Sequence, residues 1–202
     1  VNAGQPQGRQ VAGIAPTPVR HLYDDALALL LSWRAPNQTQ EQLRRGFLSA
    51  LAGDPMAVSK SGPPAHLTAS CLVLSPDGGS VLLHLHGRAG MWLQFGGHLE
   101  MGDDSIWAAA RREAQEESGL DGLEPLPAPI DLDRHALVGN FGHCTEHLDI
   151  RFLAVTPSGR MPRASDESTD IAWFPVDALP SNIAADLPRL IDVGRARLAA
   201  GA

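Results

Sequence analysis

A glycine pair followed by a helix crowded with carboxylates constrains this chain more than any other feature. Gly96-Gly97-His98-Leu99-Glu100 leads into a segment that ends Arg112-Glu113-Ala114-Gln115-Glu116-Glu117-Ser118-Gly119-Leu120. Positions i, i+3 and i+4 share one helix face, so Glu113, Glu116 and Glu117 lie together. Three carboxylates on one face repel each other, and a hard divalent cation with oxygen ligands, Mg²⁺ or Mn²⁺, relieves that repulsion. The glycine turn lets the backbone come close to a metal or to a phosphate-bearing ligand. Glutamates and arginines on an ordinary surface helix form a solvated face laced with i, i+4 pairs. Such a face needs neither a Gly-Gly turn before it nor a Gly-Leu stop after it.

These residues resemble the Nudix box, the signature of the Nudix hydrolases. That box runs from a glycine through a loop acid to Arg-Glu-aliphatic-x-Glu-Glu-x-Gly-aliphatic. The resemblance spans Gly97 to Leu120 and is most complete over Arg112, Glu113, Glu116, Glu117, Gly119 and Leu120. The chain departs from the box in three ways. The loop acid is an aspartate; the loop is one residue longer; and Ala114 replaces a larger aliphatic residue. Counting forward from Gly97 selects Asp103 as the loop acid, and counting back from Arg112 selects Asp104. The extra residue falls where loop becomes helix, where it can be absorbed without rotating the glutamate face. Asp103 and Asp104 could equally cap the helix.

The resemblance implies an α/β (α+β) fold, the Nudix α/β/α sandwich with a mixed sheet. It implies a metal-dependent hydrolase that cleaves a diphosphate linkage in a nucleotide or nucleotide conjugate, a nucleoside diphosphate linked to another moiety. Mg²⁺ or Mn²⁺ would be held by Glu113, Glu116, Glu117 and a backbone carbonyl of the turn, taken as Gly97. Arg112 would organise the loop through Glu100 or Asp103, because a bidentate guanidinium fixes geometry better than an ammonium does. Either Glu116 or Glu117 could act as general base. Many family members instead use an acid beyond the box, in the loop before a tryptophan-bearing last strand. Here that loop is Asp166-Glu167-Ser168-Thr169-Asp170, ahead of Trp173, and Glu167 is the preferred base or additional ligand. The acids of Glu146-His147-Leu148-Asp149 are a second choice.

A Nudix-fold sensor that binds a nucleotide without turnover is the alternative, although a pure binder has no need to keep the repelling glutamates. A diphosphate isomerase would need its own acid and nucleophile, which neither Cys71 nor Cys144 supplies convincingly. Trp92 and Phe95 flank the turn and are candidates to stack on a base, with core packing as the competing role. His98, inside the turn, is a third candidate to contact substrate. His135, His143 and His147, with Cys144 nearby, fit no zinc spacing. The downstream markers of particular Nudix substrates are missing: the only tyrosine is Tyr23, and Pro125, Pro127 and Pro129 come too early. The reaction class is legible and the substrate is not.

Before the box, residues 1–17 are rich in Gly, Gln and Pro and read as a flexible tail. His21 to Arg34 reads as a helix, and a second, capped by Asn37 or Thr39, runs to about Ala52. Residues 18–60 are thus expected to be a short helical extension packed on a Nudix domain of residues 65–202, since helices this short rarely stand alone. Within that domain, strands are expected at Leu67–Leu74, Ser80–His86, Trp92–Phe95, Ala136–Phe141, His147–Val155 and Ile171–Phe174. Helices are expected at Asp104–Ser118 and Pro188–Leu198. The net charge of −7 argues against long nucleic acid as a partner and leaves room for a small phosphorylated substrate beside a bound metal. The longest apolar run, Ala26 to Leu31, is far too short to span a bilayer. Two cysteines are too few for a disulfide scaffold, which points to a cytoplasmic location. The resemblance also implies a homodimer, because family members often pair.

Overall fold

The computed structural model describes residues 19–137, 142–156, 161–163 and 168–201. Two helices open it, α1 (Arg20–Ser32) and α2 (Gln38–Gly53), followed by a single 3₁₀ turn at Pro55–Val58. Then come β1 (Ala65–Leu74), β2 (Ser80–His86), β3 (Met91–Leu93), β4 (Phe95–His98) and α3 (Ile106–Ser118). The chain continues through β5 (Asp131–Ala136), β6 (Glu146–Val155), β7 (Ser168–Pro175) and α4 (Leu187–Ala199). Asn37 caps α2 by accepting from the Gln40 backbone N–H at 3.0 Å. Ser105, rather than either aspartate, caps α3 by accepting from the Ala108 N–H at 3.0 Å. Gly119 stops α3 in the left-handed conformation, φ 65°, where a side chain would be strained.

All seven strands join one mixed sheet. β1 and β6 pair in parallel along their whole length, and the other pairings are antiparallel. β1 reaches β4 through Thr68–Cys71 and β2 through Val73 and Leu74 on the same edge. The expected strand over Ala136–Phe141 is displaced: the strand is Asp131–Ala136, and residues 138–141 lie outside the described part. The run Asp-Leu-Asp-Arg-His-Ala looks too charged for a strand when read alone. It forms one because its outward charges meet partners on β6 and α4 (Asp133 with Arg151, Asp131 with Arg189), while Leu132 turns into the core.

β1 is buried on both faces from His66 to Leu74, and the pleat sends its successive side chains to opposite sides of the sheet. Leu67 and Ala69 on β1, with Leu132, Leu148, Ile150 and Phe152, face a core shared by α3, α1 and α2. Leu72, Leu74, Val81, Leu83 and Leu153 meet Leu187, Leu190 and Ile191 of α4 across the opposite face. Helices therefore cover both faces, giving an α/β/α sandwich with an N-terminal helical segment.

β5 forms one edge of the sheet, and an unpaired edge invites pairing with another chain. α2 closes it locally. The buried Gln40 amide donates to the Leu132 carbonyl at 2.9 Å and accepts from the Leu132 N–H at 2.8 Å. Nearby, the Trp33 indole donates to the Pro129 carbonyl at 2.8 Å. Gln40→Ala would strand a buried backbone donor and acceptor together. It is expected to lower unfolding stability by about 2–4 kcal/mol in urea titration, with Gln40→Glu failing to rescue it because a carboxylate cannot donate to the carbonyl.

Candidate functional site

The functional region is built where β4 runs into α3. Ala109, Ala110 and Ala114, with Ile106, are buried beneath the sheet, and their small side chains let α3 lie close to β1 and β4. That orientation turns the opposite face, with Arg112, Glu113 and Glu116, toward the β4 loop and brings Glu117 in against β4 itself. Glu117 is almost fully buried and accepts from the Gly96 N–H at 2.8 Å. Glu113 lies against Gly97 so closely that a Cβ there would sit 2.6 Å from its Oε1. A side chain at that position would displace the Glu113 carboxylate from its seat. Glu116 is the exposed member of the three.

Arg112 ties the loop to the helix. Its Nε and Nη2 donate to the two oxygens of Asp103 at 2.8 and 3.0 Å, and Nη2 also donates to the His98 carbonyl at 3.1 Å. Its Nη1 lies 3.0 Å from Glu113 and 3.2 Å from Glu116. Burial alone would lower the guanidinium pKa, but the bond to Asp103 and the charge of Glu113 outweigh it and drive the pKa upward. Asp103 is buried and also accepts from the Glu100 N–H at 2.7 Å, whereas Asp104 is exposed. The loop acid is therefore Asp103, and Glu100 contributes its backbone.

The N-terminal helix braces the same loop. His21 donates to the Asp103 carbonyl at 2.9 Å, and Asp25 accepts from the Ile106 N–H at 2.8 Å, at the start of α3. Neither contact was visible in the sequence, because each spans about eighty residues.

On the other side of β1 a cavity of about 430 Å³ opens beside Gly96 and Gly97. Its floor is a polar stretch of the sheet. Asp149 accepts from Thr68 at 3.1 Å, from Ser70 at 2.6 Å and from Arg151 Nε at 3.0 Å. Arg151, 2% exposed, also donates to Asp133 at 2.9 Å and pairs with Asp186. Met91, Leu93, Ala136 and Leu137 add apolar lining. Asp149 is fully engaged and is no free base; Glu146 pairs with Arg134 at 2.6 Å. The alternating Asp131-x-Asp133-x-His135 and His147-x-Asp149-x-Arg151 place these groups on one face, and that period of two is the signal that could have revealed the floor.

Trp92 does not line this cavity. Its ring packs edge-on against Phe174, 4.8 Å between centroids, toward α4. Phe95 is wholly buried beside Ala114. Both are core residues because the pleat turns them away from the floor. His98 does not line the cavity either; its ring stands next to that of His147, which does, with centroids 5.1 Å apart. Glu167 lies outside the described residues. Its sequence neighbour Ser168 places its hydroxyl 2.7 Å from His84 Nδ1, and that nitrogen is 3.6 Å from Glu117. Cys71 is fully buried, which pushes its thiol up and leaves it inert. No helix among the described residues is long and apolar enough to cross a membrane.

A mixed sheet between helices, with a Gly-Gly turn set against a glutamate-lined helix, defines the class of a Nudix-fold hydrolase. The NUDIX domain model matches residues 64–193, and the chain belongs to the Nudix hydrolase family. The chain is 35% identical over 116 residues to an oxidized purine nucleoside triphosphate hydrolase of Danio rerio, covering 54% of this chain and 67% of the relative. A MutT-like protein of Streptomyces ambofaciens is 27% identical over 124 residues, covering 61% and 73%. Among solved structures, a C. elegans Ap4A hydrolase binary complex superposes with a TM-score of 0.54 at 19% identity, covering 66% of this chain and 98% of that one. That likeness speaks for the fold.

Burial pushes His98 and His147 down to about 4, from an ordinary 6.5, and neighbouring imidazoles add to the shift. Between those values the unfolded chain takes up protons that the folded chain refuses. Stability is therefore full above pH 6.5 and is lost as pH falls toward 4. Thermal melts of chelator-treated protein across that window should show a falling Tm, and the fall should shrink in His98→Asn with His147→Asn.

Proposed function

We propose that the protein is a Mg²⁺- or Mn²⁺-dependent hydrolase that cleaves a diphosphate linkage in a nucleotide, with nucleoside triphosphates as the first substrate class to test. The observation that carries this is the seating of Glu113 and Glu117 against Gly97 and Gly96, with Glu116 on the same helix face and the cavity opening beside the turn. The donor set fits a hard divalent ion: carboxylates with a glycine backbone held close enough to share it. Glu113, Glu116 and Glu117 with the Gly97 carbonyl would hold the ion, which supplies charge neutralisation of the diphosphate and lowers the pKa of a bound water.

The chain's own residues do the rest. Arg112, anchored on Asp103, sets the spacing of Glu113 and Glu116 and shields their mutual repulsion. Glu116 or Glu117 would take the proton of the attacking water, with Glu167 a further candidate base; the hydroxyl of Ser168 reaches His84, beside Glu117. Water oxygen bonds to phosphorus as the bridging P–O bond breaks, and that bridging oxygen leaves with the departing phosphate. Met91, Leu93, Ala136 and Leu137 offer apolar contact for a base, while the part-exposed Asp186 offers a carboxylate oxygen to its polar edge. The Danio rerio relative, named for oxidized purine nucleoside triphosphates, supports putting purine triphosphates first in the panel.

Turnover of purine nucleoside triphosphates, dinucleoside polyphosphates and nucleotide sugars should be measured with Mg²⁺ and with Mn²⁺. Glu116→Gln and Glu117→Gln are each expected to lower kcat by about 10²–10⁴-fold while the protein stays folded. Full activity in the double variant would overturn the assignment. Tight nucleotide binding without cleavage by the wild type would favour a sensor instead.

A further inference from the structure

A second, chemically different ligand set lies beside the carboxylates. His66 on β1 pairs directly with His147 on β6, and β4 brings His98 opposite Thr68, two residues along from His66. The pleat puts all three imidazoles on one face, and their centroids form a near-regular triangle with sides of 5.1, 5.1 and 5.5 Å. One ring nitrogen from each lies within 4.8 Å of the others. Among the described residues, no other group of three His, Cys, Asp or Glu side chains converges this closely.

Their hydrogen bonding is what marks them out. His66 Nδ1 faces the Pro63 carbonyl at 2.9 Å, which fixes the proton there and leaves Nε2 as an acceptor whose neighbour is the Cys144 thiol. A carbonyl partner on the far nitrogen is the usual support of a metal-binding histidine. His98 Nε2 and His147 Nε2 are buried and have no hydrogen-bond partner. Two orphaned buried nitrogens beside a third that meets only a thiol cost stability unless something fills the gap. Cys144 Sγ stands 3.8 Å from His66 Nε2, close to the roughly 3.6 Å edge expected between N and S ligands of one tetrahedral ion.

We propose that His66, His98 and His147 form a binding site for a borderline transition-metal ion of the Zn²⁺ type, with Cys144 beside the open fourth position. Neutral imidazole and thiolate suit such an ion and suit Mg²⁺ poorly. Tetrahedral bonds of about 2.0–2.1 Å would bring the nitrogens from within 4.8 Å to about 3.3 Å, a contraction of up to about 1.5 Å. The ion would tie three strands together at one point. It would also anchor His98, whose carbonyl accepts from Arg112 and whose neighbour Gly97 touches Glu113. Because the site abuts the carboxylate loop, its test reads metal binding and not activity.

Co²⁺ should be titrated into untagged, metal-free, full-length chain in excess Mg²⁺, which keeps the carboxylates filled with the hard ion. One equivalent is expected to bind with the intense visible bands of a low-coordinate centre, to be displaced by Zn²⁺, and to raise the Tm. His98→Asn and His147→Asn should each weaken binding roughly 100-fold. Glu113→Gln with Glu116→Gln should leave the bands unchanged. In wild-type protein, ¹⁵N-histidine spectra should show three ring nitrogens shifting together on Zn²⁺ addition, a readout that needs no variant to fold. Unmoved histidine resonances, or Co²⁺ bands that survive in the His98→Asn/His147→Asn double variant, would overturn the site.

Discussion

The β4–α3 junction depends on compensating charge that the sequence concentrates in one place. Glu113, Glu116 and Asp103 all approach a single guanidinium, Arg112, which also takes the His98 carbonyl. Planarity and five donors let one arginine satisfy this arrangement; a lysine would offer charge without the fixed fork. Because the guanidinium bonds loop and helix at once, the position of Gly97 relative to Glu113 follows from it. Glu117 is held separately by the Gly96 N–H, so its carboxylate is fixed from the β4 side and the others from the loop side.

The two faces of the sheet divide the labour around that junction. α3 and the N-terminal helices share one apolar core with the inner halves of β1, β5 and β6. The helical segment is more than a cover, since His21 and Asp25 bond the backbone on either side of the loop–helix transition. The extra loop residue sits there, between Asp103 and the Ser105 cap. A longer loop has more conformations to lose, and two fixed contacts from α1 oppose that loss. The opposite face is apolar only beneath α4. Nearer the turn it becomes a charged floor, where Arg151 is neutralised by surrounding aspartates and the cavity lies open above it.

What the sequence made legible was local. The helix carrying Glu113, Glu116 and Glu117, its glycine stop, the hairpin of β1 and β2 and the closing helix all follow from periodicity and turn chemistry within a dozen residues. Two ambiguities needed the fold. Asp103 and Asp104 are equally spaced candidates until burial and Arg112 select the first. The strand expected at Ala136–Phe141 falls at Asp131–Ala136 instead, because Arg151 and Arg189, far along the chain, neutralise its aspartates. Trp92 and Phe95 went astray for a related reason: proximity in sequence to the turn says nothing about which face the pleat gives them. The histidine triangle was out of reach altogether, because His66, His98 and His147 come from three strands and no spacing rule links them. Glu167 falls outside the described residues, and its role stays with the proposal.

Seen chemically, two donor sets of opposite character share the Gly96–His98 strand. Glu113 and Glu117 offer hard oxygen on one side of it; His98, with His66 and His147, offers nitrogen on the other. Raw affinity for most ligand sets rises toward the later transition metals, so an oxygen site intended for Mg²⁺ is vulnerable to a tighter-binding intruder. A neighbouring imidazole set takes such an ion at lower free energy than carboxylates do. Sorting by donor type would let both proposed ions bind a few residues apart without exchange, and a filled histidine site would hold β4 in the position from which Gly97 meets Glu113. Loop geometry and metal selectivity would thus depend on the same residue, His98, which is why its unpartnered nitrogen matters more than its position in the box alone implies.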